Sequence, residues 1–223
     1  MQTIEIIYQH HDFIIIDKPC GVSVHKDREE VGLTQMLSQQ LNVEQVWLVH
    51  RLDKITSGLL ILALNETAAA TLSNLFAQHL IQKTYIALSE FKPKKKQGLI
   101  IGDMQKSRRS TWKLMQSHEN PAITRFTSVS CEPNLRLFVL YPQTGKTHQL
   151  RVAMKSLGSP ILGDELYGEK KEEKSDRTYL HAYALDFCYQ NQKFRITCSP
   201  KCGQFFQRNS VVSAIQNIFK DDE

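Results

Sequence analysis

The run His50-Arg51-Leu52-Asp53 sets an imidazole, a guanidinium and a carboxylate within four residues, and an apolar stretch, 58–64, follows a short polar link. A carboxylate held still at the mouth of a buried strand can add to an electrophile or take a proton. One Asp among 23 acidic residues is most often a surface group or a turn former. The His and Arg beside it and the buried-strand pattern behind it make Asp53 a candidate for chemistry. A second run, Thr144-Gly145-Lys146-Thr147-His148-Gln149-Leu150-Arg151-Val152, opens a helix with Thr144 or Thr147 near its cap and Gly158 placed to end it. Leu150, Ala153, Met154 and Leu157 share one face of that helix, and His148, Arg151 and Lys155 share another. Arg151 keeps its charge at any working pH, so its head can pair with an acid; an amphipathic surface helix with a solvated Arg fits the same spacing. A third run, Lys83-Thr84-Tyr85, begins a strand in which Tyr85 is a core or edge aromatic.

Strands and helices must hold these groups. The apolar patterns predict strands over 4–8, 13–17, 46–49, 58–64, 83–89, 98–102, 122–130, 135–141, 182–187 and 194–198. They predict helices over 34–41, from an Asn65 cap to about Leu80, after Thr144, and over 211–219. Asp17-Lys18-Pro19-Cys20-Gly21 ends the second strand in a turn. Strands outnumber helices and do not alternate with them, which predicts an α+β fold with a mixed, largely antiparallel sheet flanked by helices. No repeat, low-complexity linker or domain boundary is visible, so 1–223 is expected to form a single domain. The stretch 169–177 is charged but balanced and reads as an exposed loop.

The chain has 223 residues, 41% hydrophobic and 23% charged, so it should be globular and bury a full core. Its longest apolar run is too short to cross a bilayer, and no secretory signal stands at the N-terminus. Five cysteines at irregular spacing fit a reducing cytoplasm better than a disulfide framework, and Cys198 and Cys202 are expected to be packing residues rather than metal ligands. The stretch 92–113 carries eight basic residues against Asp103, more than the net +5 of the whole chain. Such a patch is the electrostatic footprint of a phosphate backbone, unless it is a solvated hairpin tip. Lys94, Lys95, Lys96 and Arg108, Arg109 flank the expected strand 98–102, a spacing that lets the two clusters sit together.

The His-Arg-Leu-Asp-x-x-Thr-Ser-Gly run, the Thr-Gly-x-Thr-His-Gln-x-Arg run, Lys83-Thr84-Tyr85, Asp17-Lys18-Pro19-Cys20-Gly21 and Leu180-His181-Ala182 resemble, in this order, the motifs of the RluA-type RNA pseudouridine synthases. The resemblance spans nearly the whole chain. It implies a mixed-sheet catalytic domain with a central RNA-binding cleft and conversion of uridine to pseudouridine in ribosomal RNA, transfer RNA or both. It implies that Asp53 is the essential carboxylate, that Arg151 pairs with it, that Tyr85 stacks on the uracil, and that Arg51 occupies the gap left by an extruded base. His50, Thr56, Lys83, His148 and Leu180 are the further substrate contacts it implies. Lys146, Ala153 and Lys26 (after His25) depart from the commonest family pattern, which bears on the RNA target rather than the chemistry. Members often carry an added S4-type domain, and a stand-alone catalytic domain is expected here.

The implied reaction breaks C1′–N1 and joins C1′ to C5, with no net oxidation or hydrolysis, so no cofactor and no metal are expected. The target must swing out of its stack, and Arg51 and Tyr85 suit the contacts that offset the cost. A monomer acting on RNA in the cytoplasm, with no membrane partner, is expected. Two other functions fit a carboxylate in an RNA-binding protein. A base-removing hydrolase would release free uracil, and a non-catalytic RNA-binding or folding module would ignore changes at Asp53.

Overall fold

The computed structural model describes residues 3–24, 32–108, 110–168 and 175–220. In chain order its elements are β1 (Glu5–Gln9), β2 (Phe13–Lys18), α1 (Leu33–Leu41), β3 (Trp47–Leu48), β4 (Ser57–Ala63), α2 (Glu66–Ala77), β5 (Gln82–Ser89), β6 (Gln97–Lys106), β7 (Trp112–Leu114), β8 (Pro121–Glu132), β9 (Leu135–Pro142), α3 (Gln149–Ser156), β10 (Leu180–Tyr189), β11 (Gln192–Thr197) and α4 (Asn209–Phe219). They gather into two compact units, Met1–Lys83 with His181–Ser199, and Thr84–Leu180 with Pro200–Glu223. The divisions fall inside β5 and β10 or just after β11, not in polar linkers, so no boundary shows in the sequence. Within the units, among the described residues, every strand pairing is antiparallel except β4 with β10, which gives the α+β class expected.

In the first unit β2 lies between β1 and β4, β3 also pairs with β4, and β11 forms a hairpin with β10. All seven residues of β4 are buried, as are Phe13 to Ile16 of β2. Both faces of these strands are covered, which explains their unbroken apolar runs. On one face Phe13, Ile15, Leu59 and Ile61 pack with Leu72 of α2 and with Phe187. Each such side chain contributes ~1.5–3 kcal/mol over an exposed placement, so β4 is a firm anchor for the loop that precedes it.

Asn65 caps α2 as expected, its side chain accepting from the Ala68 N–H at 2.8 Å. The helix stops at Ala77 rather than near Leu80. His79 adopts φ +58, and the Leu80 and His79 N–H groups turn back onto the carbonyls of Leu75 and Phe76. Leu80 is therefore outside the helix and 55% exposed, despite fitting the apolar period. Gln190 and Asn191 take φ values of 50 and 63 between β10 and β11, the two-residue turn whose twist matches a hairpin.

In the second unit the antiparallel order is β5-β9-β8-β6-β7. Val211, Ile215 and Phe219, four apart, are the buried stripe of α4, which packs on β8 and β9. The strand β6 is twice the length expected, and β7 was not expected at all. Lys94–Lys96 precede a ten-residue strand and Lys106–Arg108 stand at its far end, which sets the two clusters about 30 Å apart. The two basic clusters do not sit together, contrary to the sequence expectation. Arg109, His25, Lys26 and most of the charged stretch (169–174) lie outside the described residues. Among the described residues no helix is long and apolar enough to cross a membrane.

Candidate active site

The loop 49–56 leaves β3 and returns into β4, and three apolar or small side chains sink it: Val49, Leu52 and Thr56 are all buried. Between them Arg51 and Lys54 are exposed and Asp53 is half-buried. The Thr56 N–H donates to the Asp53 carbonyl at 3.0 Å, closing a tight turn that fixes the backbone carrying the carboxylate. His50 supports the loop from below. Its Nε2 accepts from the Ile61 N–H of β4 at 3.0 Å, and its ring stacks on Phe76 with centroids 4.0 Å apart. Burial, with a smaller contribution from the Lys83 charge, pushes the His50 pKa from 6.5 to about 3. The ring is thus neutral with its proton on Nδ1, the atom any substrate contact would use.

The turn after β2 clamps the other side of this loop. Lys18 is fully buried, and its Nζ donates to the carbonyls of Pro19 (2.8 Å), Val22 (2.9 Å) and Lys54 (3.3 Å). A buried ammonium needs partners for its donors, and three carbonyls supply them. The Gly21 N–H also reaches the Lys54 carbonyl at 2.8 Å, and Cys20 Sγ donates to the Ile55 carbonyl at 3.0 Å. The carbonyls of Lys54 and Ile55, the two residues after Asp53, are therefore stitched to 18–21. The sequence pattern revealed the turn but not the buried cation.

Gly58 explains the end of the motif. Ser57 and Gly58 of β4 face His181 and Ala182 of β10 in the parallel pair. Gly58 has φ +105, and a Cβ there would stand 2.3 Å from the Ala182 carbonyl oxygen. Only glycine permits this approach. Next to it the Ser57 hydroxyl meets His181 Nδ1 at 2.7 Å, and His181 Nε2 donates to the Cys198 carbonyl at 2.8 Å. Asp17, His181 and Cys198 are one of two groups of three potential metal ligands among the described residues; His10, His11 and Asp12 are the other. Both nitrogens of His181 are engaged by the protein. Cys198 is buried, as expected of a packing residue, whereas Cys202 is exposed and is not one.

In the second unit Tyr85 is buried on β5 opposite Leu140 of β9. Leu180, where β10 begins, is buried too. Lys83, on the first-unit side of the division, is half-buried, and burial lowers its pKa. The helix α3 begins one residue after His148, which is itself the cap at φ 57. Neither Thr144 nor Thr147 caps it. Thr144 instead accepts from the Ile123 N–H and donates to Gln149 Oε1. Gln149, buried, also accepts from the Lys146 N–H and donates to the Ile123 carbonyl and the Thr124 hydroxyl. That network is what Thr-Gly-x-Thr-His-Gln encodes locally. Gly158 follows the helix end at φ +71, as expected. His148 Nδ1 meets the Tyr167 hydroxyl at 2.9 Å, and that hydroxyl also accepts from the Trp112 N–H.

Arg151 is not on a solvated face. It is 6% exposed, and its Nε and Nη2 bind Asp164 Oδ2 and Oδ1 at 2.7 and 2.9 Å. Asp164, Tyr167, Gln149 and the buried charge of Lys18 are site features that local spacing does not single out. Gly163-Asp164, in Ile161-Leu162-Gly163-Asp164-Glu165-Leu166-Tyr167-Gly168, carried the usable signal: a Gly-Asp pair that turns the chain and frees a carboxylate to bond backbone N–H groups. The exposed Lys94, Lys95, Lys96 and Arg108 remain surface cations of the same unit.

The first unit thus offers a half-buried carboxylate on a braced loop with an exposed guanidinium two residues before it. The second offers a buried, oriented guanidinium and a buried phenol. A carboxylate of this kind can act as nucleophile or base, and the cations and aromatics suit a polyanion with flat bases.

Comparison with known proteins agrees. A family profile described as RNA pseudouridylate synthase matches residues 12–156. A Haemophilus influenzae protein named uncharacterized RNA pseudouridine synthase is 68% identical over 213 residues, 96% of this chain and 95% of that protein. A ribosomal large subunit pseudouridine synthase C of Rickettsia conorii is 36% identical over 195 residues, 85% of this chain and 64% of that protein. The solved structure of human RNA Pseudouridylate Synthase Domain Containing 1 covers 97% of this chain and 94% of its own, with a TM-score of 0.77 at 24% identity, which is a likeness of fold.

Proposed function

This chain belongs to the RNA pseudouridylate synthase family and is an isomerase that turns uridine in RNA into pseudouridine, and we propose that Asp53 carries the reaction with Arg151 as its paired cation and Tyr85 as the stacking partner of the uracil. The bond from C1′ to N1 breaks, the base turns, and C1′ bonds to C5. The C5 proton leaves to solvent and N1 gains one, so atoms and electrons balance without a second substrate. The carboxylate adds to the base, attacks C1′ or removes a sugar proton, and each route needs it charged, which a neighbouring guanidinium favours. Tyr85 or a water takes the C5 proton.

The observation that supports Asp53 most directly is the bracing of its loop by Lys18, His50 and the Thr56 turn, which holds one half-buried carboxylate in a fixed position. Arg51, exposed on that loop, fills the space of the extruded nucleotide. His50 through Nδ1, with Thr56, Lys83, His148 and Leu180, completes the substrate contacts. Lys94, Lys95, Lys96, Arg108 and Arg109 hold phosphates and add affinity without choosing the site. Both units act as one catalytic domain, monomeric and cytoplasmic.

The target is a uridine in ribosomal or transfer RNA, and the name of the Rickettsia conorii relative makes large-subunit ribosomal RNA the first to test. Carbodiimide mapping of pseudouridine across total RNA, with and without the gene, tests this: a site lost from ribosomal or transfer RNA names the substrate. Unchanged maps in both would refute it. Family membership disfavours a base-removing hydrolase and a purely binding module, and the same reaction mixtures should contain no free uracil.

A further inference from the structure

We infer that Asp164 is the positioning residue for Arg151, setting the rate of pseudouridine formation through the guanidinium without touching RNA itself. The inference rests on the reading of Arg151 as the cation that serves Asp53. The pair is a fork on a fork: Nε to Oδ2 and Nη2 to Oδ1, at 2.7 and 2.9 Å, with both side chains buried. A bidentate carboxylate fixes the plane of a guanidinium as well as its location, which a single contact cannot do.

Asp164 can act as a reference point because its own position is over-determined. Its Oδ1 also accepts from the N–H groups of Leu166 (3.0 Å) and Tyr167 (3.1 Å). Its main chain is tied at both ends, the N–H to the Ile161 carbonyl and the carbonyl to the Gly168 N–H at 2.7 Å. The preceding Gly163 has φ +75, and a Cβ there would stand 1.9 Å from the Arg177 carbonyl oxygen, so the turn has one way to fit. The Tyr167 ring closes the stack, its centroid 4.9 Å from the Arg151 Cζ. With Nε and one Nη2 hydrogen spent on Asp164, the donors that a further carboxylate meets are those of Nη1 and the outward Nη2 hydrogen. Asp164 thereby selects which edge of the guanidinium serves the reaction. A misplacement of about 1 Å at such a contact costs about a hundredfold in rate.

Asp164→Asn is the test. With its amide oxygen at the Oδ1 position the side chain still accepts from Leu166, Tyr167 and Arg151 Nη2, while its NH2 at the Oδ2 position faces the Arg151 Nε–H, and the fork is lost. Steady-state kinetics follow tritium released from C5-labelled uridine in the RNA transcript that the parent modifies. The expected result is a kcat about a hundredfold lower with KM for RNA changed less than about threefold. In the Arg151→Met background the same substitution should add less than about twofold, because a residue that works through Arg151 has nothing left to position. A parental kcat in Asp164→Asn, a loss confined to KM, or a full additional loss on top of Arg151→Met each overturns the inference. Arg151→Lys keeps the charge and loses the fork, and it reads the same question if Asp164→Asn does not fold: a parental kcat there also overturns it. Failure of the underlying reading looks different, namely no tritium release by the parent, or undiminished release by Arg151→Met.

Discussion

The ammonium of Lys18 donates to the carbonyl oxygen of Lys54 across 3.3 Å, joining the end of β2 to the residue after Asp53. The same ammonium serves the Pro19 and Val22 carbonyls, and no part of the side chain reaches solvent. Lys18→Met keeps the apolar stem and removes the donors from three carbonyls. Each buried acceptor left without a donor costs ~1–3 kcal/mol. We expect a loss of about 3 kcal/mol in urea unfolding, since the Gly21 N–H still covers the Lys54 carbonyl. A midpoint unchanged from the parent would mean that the cage carries no stability.

Gly58→Ala should be worse. The new methyl meets the Ala182 backbone in the β4–β10 pair and must adopt φ +105. A loss of ~3 kcal/mol or more is expected, seen as insoluble protein or a sharply lowered melting temperature. Near-parental melting would show that β4 and β10 can separate at this point.

The depressed pKa of His50 makes a pH prediction. In the unfolded chain its imidazole takes up a proton near 6.5, and in the folded chain only near about 3. Between these values the unfolded state holds more protons. Stability from this group is therefore complete above pH 6.5 and declines as pH falls toward 3, by at most ~1.4 kcal/mol per pH unit. His50→Gln retains an acceptor for the Ile61 N–H and cannot titrate. Plotted against pH from 7 to 4, its unfolding free energy should fall less steeply than that of the parent; parallel curves would place the His50 proton uptake elsewhere.

Asp53→Asn preserves the shape of the loop and removes the charge. Tritium release should fall by at least about a thousandfold, while RNA affinity stays within about threefold because phosphate contacts supply most of it. Retained turnover would take the reaction away from Asp53.

The two basic clusters, far apart along β6, should act independently. Neutralising Lys94, Lys95 and Lys96 to Gln should lower the slope of log affinity against log salt by about two to three. Arg108→Gln should lower it by about one, additively, in filter binding across a salt series. A combined variant with the slope of the triple alone would mean that only one cluster meets RNA.

Short-range patterns carried most of the fold. The buried run of β4, the Asn65 cap and the stripe of α4 are local, and each was legible from spacing. What spacing could not show was pairing at a distance. Lys18 meets a carbonyl 36 residues away, and Arg151 meets an acid 13 residues on, across a loop. Both side chains look like solvated charges until the partner is seen. Leu80 failed in the opposite way: it kept the helical period after His79 had already turned the backbone. The basic clusters misled because their separation depends on the length of β6, and its polar ends carry no strand pattern.

The first unit is assembled from two stretches separated by nearly a hundred residues, with β10 and β11 arriving long after β4 has been made. During synthesis the β10-facing end of β4, Ser57–Gly58, must wait unpaired while 84–180 is translated, and the apolar side chains that Leu185, Phe187 and Phe194 will cover wait with it. An edge of that kind invites pairing with other chains, so the interval before 181–199 emerges is when this protein should depend most on chaperones.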